Sequence, residues 1–311
     1  MKQNTSTKKQ FTFTGAKKRG IVILFFFFGI ITVKEIEAQT QKPGIFYSIS
    51  GNGLKDTSYL FGTYHLVKDS YLDELPGVKA SFAKAKGIVV EIIADSAEAA
   101  AVQSMGMMTD KTLTGLIDQP FRDSLDTELK NSIGVGLNQL DQFKPMNITL
   151  TLSIVHMMKS NRELLEKYTG LPLDAFFARS GKDMGKTVKP LETIKEQMDL
   201  LFNSASIDEQ VTALKTFIRK KTEMAQLGDE LIKKWFDHDL EGMNDIYEKT
   251  LQESGEEDRL IRERNSNWMK ILPGLLHSES QFIAVGALHL GGEFGLVEQL
   301  KQKGYTVTPV K

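Results

Sequence analysis

The sequence predicts an α/β fold in which strands from both ends of the chain form one sheet and a large helical region lies between them. Short apolar runs of strand-like composition stand near both ends, at residues 46–49, 58–61, 87–92, 282–285 and 305–310. From 207 to about 252, apolar residues recur every three or four positions among Lys and Glu, which is typical of amphipathic helices. No Pro- or Ser-rich linker divides residues 39–311, so we expect a single domain with a helical insertion at about 100–280.

The first two strands are predicted to form a hairpin. Between them lies Gly51-Asn52-Gly53, and these residue types readily adopt the backbone conformations of tight turns. A helix is expected at 76–86, and it leads directly into the buried strand at 87–92.

Two further elements complete the predicted sheet. Residues 187–191 have the composition of a short strand, and Pro190 either weakens that assignment or places the strand at an edge, because proline cannot donate a ladder hydrogen bond. A helix at 292–303 is predicted to end at Gly304, before the last strand at 305–310.

The first 38 residues are typical of a signal peptide. Residues 17–19 are basic, residues 21–33 are apolar, and Ala38 is a small residue at a plausible cleavage point. The apolar run is too short to span a bilayer comfortably. We therefore expect cleavage near Ala38, no stable membrane span afterwards, and a periplasmic or secreted bacterial protein; an uncleaved anchor is the alternative.

Composition narrows the possible partners. The chain has no cysteine, so an exported form has no disulfides and depends on its core for stability. Without residues 1–38, which hold seven Lys or Arg and two Asp or Glu, the 39 basic and 40 acidic residues become 32 and 38, a net charge of about −6. A mildly acidic domain without a basic stripe is not expected to bind nucleic acid.

The most informative pattern is a repeated Gly-x-x-His. Gly62 precedes His65 by three residues after one predicted strand, and Gly286 precedes His289 in the same way after another. Open α/β sheets build their sites at strand ends, and two neutral imidazoles are a common start for a metal site. A structural role for each histidine is the alternative.

A third group is expected, because two imidazoles rarely hold a divalent ion alone. Glu91 ends the apolar run at 88–90, so its carboxylate should emerge where that strand leaves the core. A half-buried carboxylate needs a metal or another cation as partner. The alternative is a glutamate that faces water at the edge of the sheet.

These residues, with the C-terminal run at 285–307, resemble the TraB/GumN/TIKI family. Shorter stretches agree: Gly170 to Asp174, Leu191-Glu192-Thr193, Gln197, Arg264-Asn265 and Trp268. The resemblance implies an α/β core similar to the erythromycin-esterase and ChaN-like group. It also implies a metal-dependent hydrolase whose metal-binding and catalytic residues are His65, Glu91 and His289, with Arg264 supporting these ligands or anchoring the substrate.

The resemblance favours Mn²⁺ or Co²⁺ as cofactor, because the animal members of the family are metalloproteases that use these ions. Two His and one carboxylate suit Zn²⁺ equally well. A peptide or protein is then the expected substrate. The sequence leaves the oligomeric state open.

Several alternatives stay open at this point. Arg264 could form a surface salt bridge with Glu263 or another acid. Asp174 is expected to cap a helix that begins near Ala175. Glu192 could join the rim of the pocket or hydrogen-bond Arg264. The chain has no His-Glu-x-x-His and no Gly-x-Ser-x-Gly, so neither a zincin nor a serine hydrolase is indicated. A non-catalytic periplasmic protein that sequesters a peptide or assists polysaccharide assembly is the competing function, and esterase-like activity rests on fold analogy alone.

Overall fold

The apolar runs at both ends of the chain do form strands of one sheet. A computed structural model describes residues 44–93, 99–254 and 258–310. The strands are β1 (Phe46–Gly51), β2 (Ser58–Thr63), β3 (Gly87–Val90), β4 (Thr187–Pro190), β5 (Gln281–Gly286) and β6 (Tyr305–Pro309). They lie in the order β4-β3-β5-β2-β1-β6. The predicted mixed α/β fold is confirmed.

Four neighbouring strands run parallel, which determines where a site can form. β3 pairs in parallel with β4 and β5, and β5 pairs in parallel with β2. β1 is antiparallel to both β2 and β6. The carboxyl ends of β4, β3, β5 and β2 therefore meet at one edge of the sheet, with Thr63 of β2 opposite Gly286 of β5.

The turn and edge predictions are confirmed. β1 and β2 form the expected hairpin, and Gly51, Asn52 and Gly53 all have positive φ, at 76°, 46° and 78°. These values lie in the left-handed region that glycine and asparagine tolerate. β4, which contains Pro190, is the edge strand of the sheet.

The helices lie between and beside these strands. They are α1 (Pro76–Lys84), α2 (Ala99–Met105), α3 (Leu113–Leu116), α4 (Gln119–Ile133), α5 (Pro145–Ser160), α6 (Arg162–Glu166), α7 (Leu173–Asp183), α8 (Ile194–Asn203), α9 (Ile207–Arg219), α10 (Lys221–Phe236), α11 (Leu240–Ser254), α12 (Arg264–Ser278) and α13 (Leu296–Gln302). A π-helical turn, Arg259–Glu263, leads into α12.

Helices cover both faces of the sheet. On one face Phe282 of β5 packs with Phe82 of α1 and Phe177 of α7. On the other face Ile283 lies in a buried cluster with Trp268 of α12 and with residues of α13. Since successive side chains of a strand point to opposite faces, a strand buried on both sides is a nearly continuous apolar run, as β5 is from Phe282 to Val285.

A third buried cluster lies within the helical region, between α3, α4, α5 and α9. It is centred on Leu113, Leu125, Leu129, Leu152 and Leu214. The helical region is not continuous, because β4 returns to the sheet between α7 and α8. The helices that follow β4 bring a second set of side chains to the edge where the parallel strands end.

No helix within the described residues is long and apolar enough to cross a membrane. The predicted signal peptide, residues 1–38, and its cleavage point lie outside the described residues.

Candidate active site at the carboxyl edge of the sheet

The four parallel strands each place a polar residue just beyond their carboxyl ends. His65 follows β2, Glu91 follows β3, Glu192 follows β4 and His289 follows β5. Side chains at such an edge can meet although they are far apart in the sequence. The edge therefore gathers His65, Glu91 and His289, as expected.

Gly286 is the point around which the three predicted residues converge. Its backbone N–H donates a 2.7 Å hydrogen bond to Oε1 of Glu91. A β-carbon built at this glycine would lie 3.2 Å from Oε1 of Glu91, 3.6 Å from Cδ2 of His289 and 4.0 Å from Nε2 of His65. A larger residue here would intrude among all three side chains.

His65 is oriented by a carboxylate from α7. Its Nδ1 lies 2.7 Å from Oδ2 of Asp174, whose other oxygen accepts a hydrogen bond from the hydroxyl of Thr63. The hydrogen bond to Asp174 outweighs the effect of desolvation and raises the pKa of His65 to about 9. The imidazole is 69% exposed, so it can be reached from solvent.

The capping role expected for Asp174 is wrong. α7 begins at Leu173, its N-cap is Pro172, and no side chain makes a cap hydrogen bond there. Asp174 lies in the first turn of α7, where its carboxylate can reach across to Thr63 and His65 of the neighbouring segment.

His289 is buried and held in a defined protonation state. Its Nδ1 lies 2.8 Å from Oδ1 of Asn265, whose Nδ2 donates to the carbonyls of His289 and Phe294 at 3.0 and 2.9 Å. The Asn265 oxygen is therefore the acceptor, and Nδ1 of His289 carries the proton. Burial lowers the pKa of His289 to about 3, so the ring is neutral near pH 7 and its Nε2 keeps a lone pair.

Arg264, the first residue of α12, contacts three of the other site residues. Its Nη1 lies 2.9 Å from Nε2 of His289, and its Nη2 donates to Oε2 of Glu91 and, at 2.7 Å, to Oε1 of Glu192. Nε of Arg264 also donates to Oε1 of Glu192, at 2.9 Å. The alternative of a surface ion pair with Glu263 is wrong, because the Arg264 side chain is only 12% exposed.

Glu192 is held firmly, and its expected hydrogen bond to Arg264 is confirmed. Oε2 of Glu192 accepts a 3.1 Å hydrogen bond from Nε1 of Trp268. Gln197 of α8 donates to both carboxylates, at 3.0 Å to Glu192 and 3.2 Å to Glu91. Trp268 and Gln197 therefore join the two buried glutamates and Arg264 in one network.

Glu91 is ionised although it is buried. Burial favours its neutral form, but the positive charges of Arg264 and His65 and the Gly286 amide hold the pKa of Glu91 well below its usual range. A carboxylate is therefore present at this edge at every physiological pH.

Comparison with known proteins shows the family to which the chain belongs. Residues 45–309 match the model of the TraB/PrgY/gumN family. The chain belongs to this family. A relative described as a metalloprotease TIKI homolog, from Amphimedon queenslandica, is 24% identical over an alignment that covers 80% of this chain. The chain spans 58% of that relative's length. No solved structure matches, so the likeness to the erythromycin-esterase and ChaN-like group stays a prediction.

The relative's name raises the question whether the residues of this TraB/PrgY/gumN family member fit a metal ion. In residues 44–93, 99–254 and 258–310, no group of three or more His, Asp or Glu side chains is arranged to hold one. The chemistry of the donors fits on one condition. Nε2 of His289 is unprotonated and Glu91 is ionised, whereas the raised pKa of His65 means that a metal ion would have to displace the proton from its Nε2, the nitrogen left by the Nδ1 bond to Asp174. Such a carboxylate–histidine bond commonly orients a metal-binding imidazole.

In this family member, the site residues at strand ends have a clearer sequence signal than those on helices. Arg264, Asn265 and Trp268 were indicated by resemblance. Gln197 is indicated by the same resemblance, but the resemblance gives it no role, and its bond to Glu91 is new. Nothing in the sequence predicts the hydrogen bond from Thr63 to Asp174, apart from the position of Thr63 inside the first Gly-x-x-His.

Proposed function

We propose that this protein is an exported metal-dependent hydrolase that cleaves peptide bonds, with His65, Glu91 and His289 as its metal ligands. The observation that carries the proposal is their convergence on Gly286 from three adjacent strand ends. Family membership and a distant relative described as a metalloprotease support the same reaction class. Periplasmic or secreted localisation is part of this proposal.

The protein's own residues prepare the donors. Asp174 holds the ring of His65 through Nδ1, and Asn265 holds the ring of His289 in the same manner, so that each Nε2 faces the site. The Gly286 amide holds one oxygen of Glu91. Bonds of this kind fix the orientation of ligand side chains before a metal ion binds.

His65, Glu91 and His289 would hold a divalent ion, Mn²⁺, Co²⁺ or Zn²⁺, which would supply Lewis-acid chemistry toward a carbonyl and a water molecule. Arg264 supplies a permanent positive charge at the site, which can stabilise negative charge on the substrate carbonyl. The exposure of His65 leaves one side of the site open to solvent, from which a substrate can approach.

A non-catalytic binding protein is the second candidate. It is favoured by one observation: in the part of the chain that the structure describes, no buried side-chain nitrogen or oxygen lacks a hydrogen-bond partner. The polar network at the sheet edge is therefore satisfied without any ligand, as expected for a site that serves only to hold the fold together.

Cleavage of a peptide library separates the two candidates. The purified protein is incubated with the library and Mn²⁺, Co²⁺ or Zn²⁺ in turn, and products are read by mass spectrometry. We expect metal-dependent cleavage that is lost in His65→Ala and Glu91→Gln and kept in His277→Ala, a matched change at an exposed histidine outside the site. Peptides that are retained but never cut, with any of the metals, would favour the binding protein.

A further inference from the structure

Arg264 places one Nη group on His289 and the other on Glu91, two of the proposed metal ligands. We propose that its guanidinium is a displaceable internal cation, and that a divalent ion binds this protein only by releasing both Nη groups of Arg264 from those two residues. The inference rests on the proposed function, since it concerns the same site.

The first step of the argument is the single lone pair of His289. Its Nδ1 carries the proton that bonds Asn265, so Nε2 has one acceptor position, and that position faces Nη1 of Arg264 at 2.9 Å. One lone pair accepts one N–H or binds one metal ion, not both. Binding of a metal at His289 therefore requires this contact to break.

The second step concerns Glu91. Its Oε1 is taken by the Gly286 amide, and its Oε2 accepts from Nη2 of Arg264 and from Gln197. A dication here would lie beside a buried guanidinium on the same carboxylate, and repulsion between like charges is strong where water is excluded. The two cations therefore compete for the carboxylate as well as for the imidazole.

The third step concerns the partner that the Arg264 guanidinium keeps after it is displaced. Its Nε bonds Glu192 at 2.9 Å, on the side of the guanidinium away from Nη1. Glu192 is in turn held by Trp268 and Gln197. Nη2 also donates to Glu192, at 2.7 Å. A movement of the planar guanidinium by rotation about the Cγ–Cδ and Cδ–Nε bonds would take Nη1 off His289 and Nη2 off Glu91 while the ion pair with Glu192 remains, so the released charge keeps a partner.

This geometry explains why the donors fit a metal ion in chemistry and yet are not arranged as a metal site. Arg264 contacts one atom that could bind a metal on each of two proposed ligands, Nε2 of His289 and Oε2 of Glu91. It keeps the buried charge of Glu91 balanced when no metal is bound, which removes the cost of an unpaired buried carboxylate.

The decisive variant is Arg264→Lys, because it keeps the charge. An ammonium is a single donor group and cannot bond Glu192, Glu91 and Nε2 of His289 in the planar pattern that the guanidinium makes. The probes are Zn²⁺ and Mn²⁺, and the affinity is measured by titration calorimetry. We expect Arg264→Lys to bind each ion at least about tenfold more tightly than the wild type does, because one charge-assisted hydrogen bond that competes with the metal is lost. Arg262→Lys is the matched control: Arg262 is exposed, lies over the ring of Phe294, and should leave the affinity unchanged.

A crystal structure of the wild type with Zn²⁺ tests the same idea without a variant, in case Arg264→Lys does not fold. We expect the Nη1–His289 and Nη2–Glu91 contacts to be lost and the Nε–Glu192 contact to be kept. Metal held by His289 and Glu91 with both Nη contacts intact, or equal affinity in wild type and Arg264→Lys, would overturn the displacement while leaving the metal-dependent hydrolase standing. Absence of metal binding in both proteins would overturn the two together.

Discussion

Gly62 of β2 lies directly against Ala287, the residue that begins the turn carrying His289. A β-carbon at position 62 would be 2.9 Å from both Cα and Cβ of Ala287. The glycine of the first Gly-x-x-His is therefore required by the packing of the second. This contact brings the segments that carry His65 and His289 together.

Gly62→Ala should accordingly destabilise the protein. The added methyl cannot fit without a shift of backbone, so we expect a loss of about 1–3 kcal/mol in the free energy of unfolding, measured by denaturant titration. Gly274→Ala is the control, because nothing lies within 4 Å of a β-carbon there and the residue is helical; it should be neutral or stabilising. Equal effects of the two changes would contradict the packing argument.

Asp174→Asn should weaken metal binding without unfolding the protein. The amide keeps the shape of the carboxylate but removes the charge that orients His65. A loss of about 10–100-fold in metal affinity is expected from the removal of such a partner, measured by calorimetry. Asp183→Asn, at the exposed other end of α7, should have no effect. Unchanged affinity in Asp174→Asn would remove His65 from the ligand set.

Glu128 should make stability depend on pH in the acid range. It is buried, which favours its neutral form, but hydrogen bonds from Lys221, Ser132 and His156 prevail and lower its pKa from 4.5 to about 2. A carboxylate whose pKa is lower in the folded state stabilises that state above pH 4.5, and the contribution is lost as the pH falls toward 2.

Comparison of Glu128→Gln with the wild type measures this contribution. The difference in unfolding free energy should be roughly 3 kcal/mol at pH 7 and should shrink as the pH falls toward 2. Glu298→Gln, at an exposed helical position, should show little difference at either pH. A Glu128→Gln difference that stays constant between pH 7 and pH 2 would show that packing, not ionisation, is the cause.

Lys186 should stabilise the end of α1. Its ammonium donates to the carbonyls of Phe82, Ala83 and Ala85, at 2.5, 2.8 and 2.6 Å. Helix C-termini leave carbonyls without partners within the helix. Lys186→Met should therefore cost about 1.5–3 kcal/mol of unfolding free energy, whereas Lys182→Met, an exposed lysine on α7, should cost less than about 0.5 kcal/mol.

The strands and the three central site residues could be predicted because their signals are local. The apolar run 282–285 predicts a buried strand, and a polar residue just beyond such a run must lie at its end. Once β2, β3 and β5 are parallel neighbours, His65, Glu91 and His289 must share an edge.

The site residues that come from helices could be predicted from the sequence only in part. Asp174 and Gln197 lie on amphipathic helices, and periodicity shows which face of a helix is apolar but not which strand end it covers. Their contacts join residues more than a hundred positions apart. Such contacts follow from the packing of helices on the sheet.

The sequence by itself determined the α/β class, the hairpin at Gly51-Asn52-Gly53 and the strand-end places of the paired histidines, and it limited the strand with Pro190 to an edge if that strand forms. These depend on side-chain periodicity and on the backbone freedom of single residues, which act over a few positions. Only the tertiary structure decided that Arg264 lies between Glu91 and His289 and remains bonded to Glu192. That arrangement depends on the position of α12 against the sheet. A buried charge there is costly unless it is paired with an opposite charge or a hydrogen-bond partner.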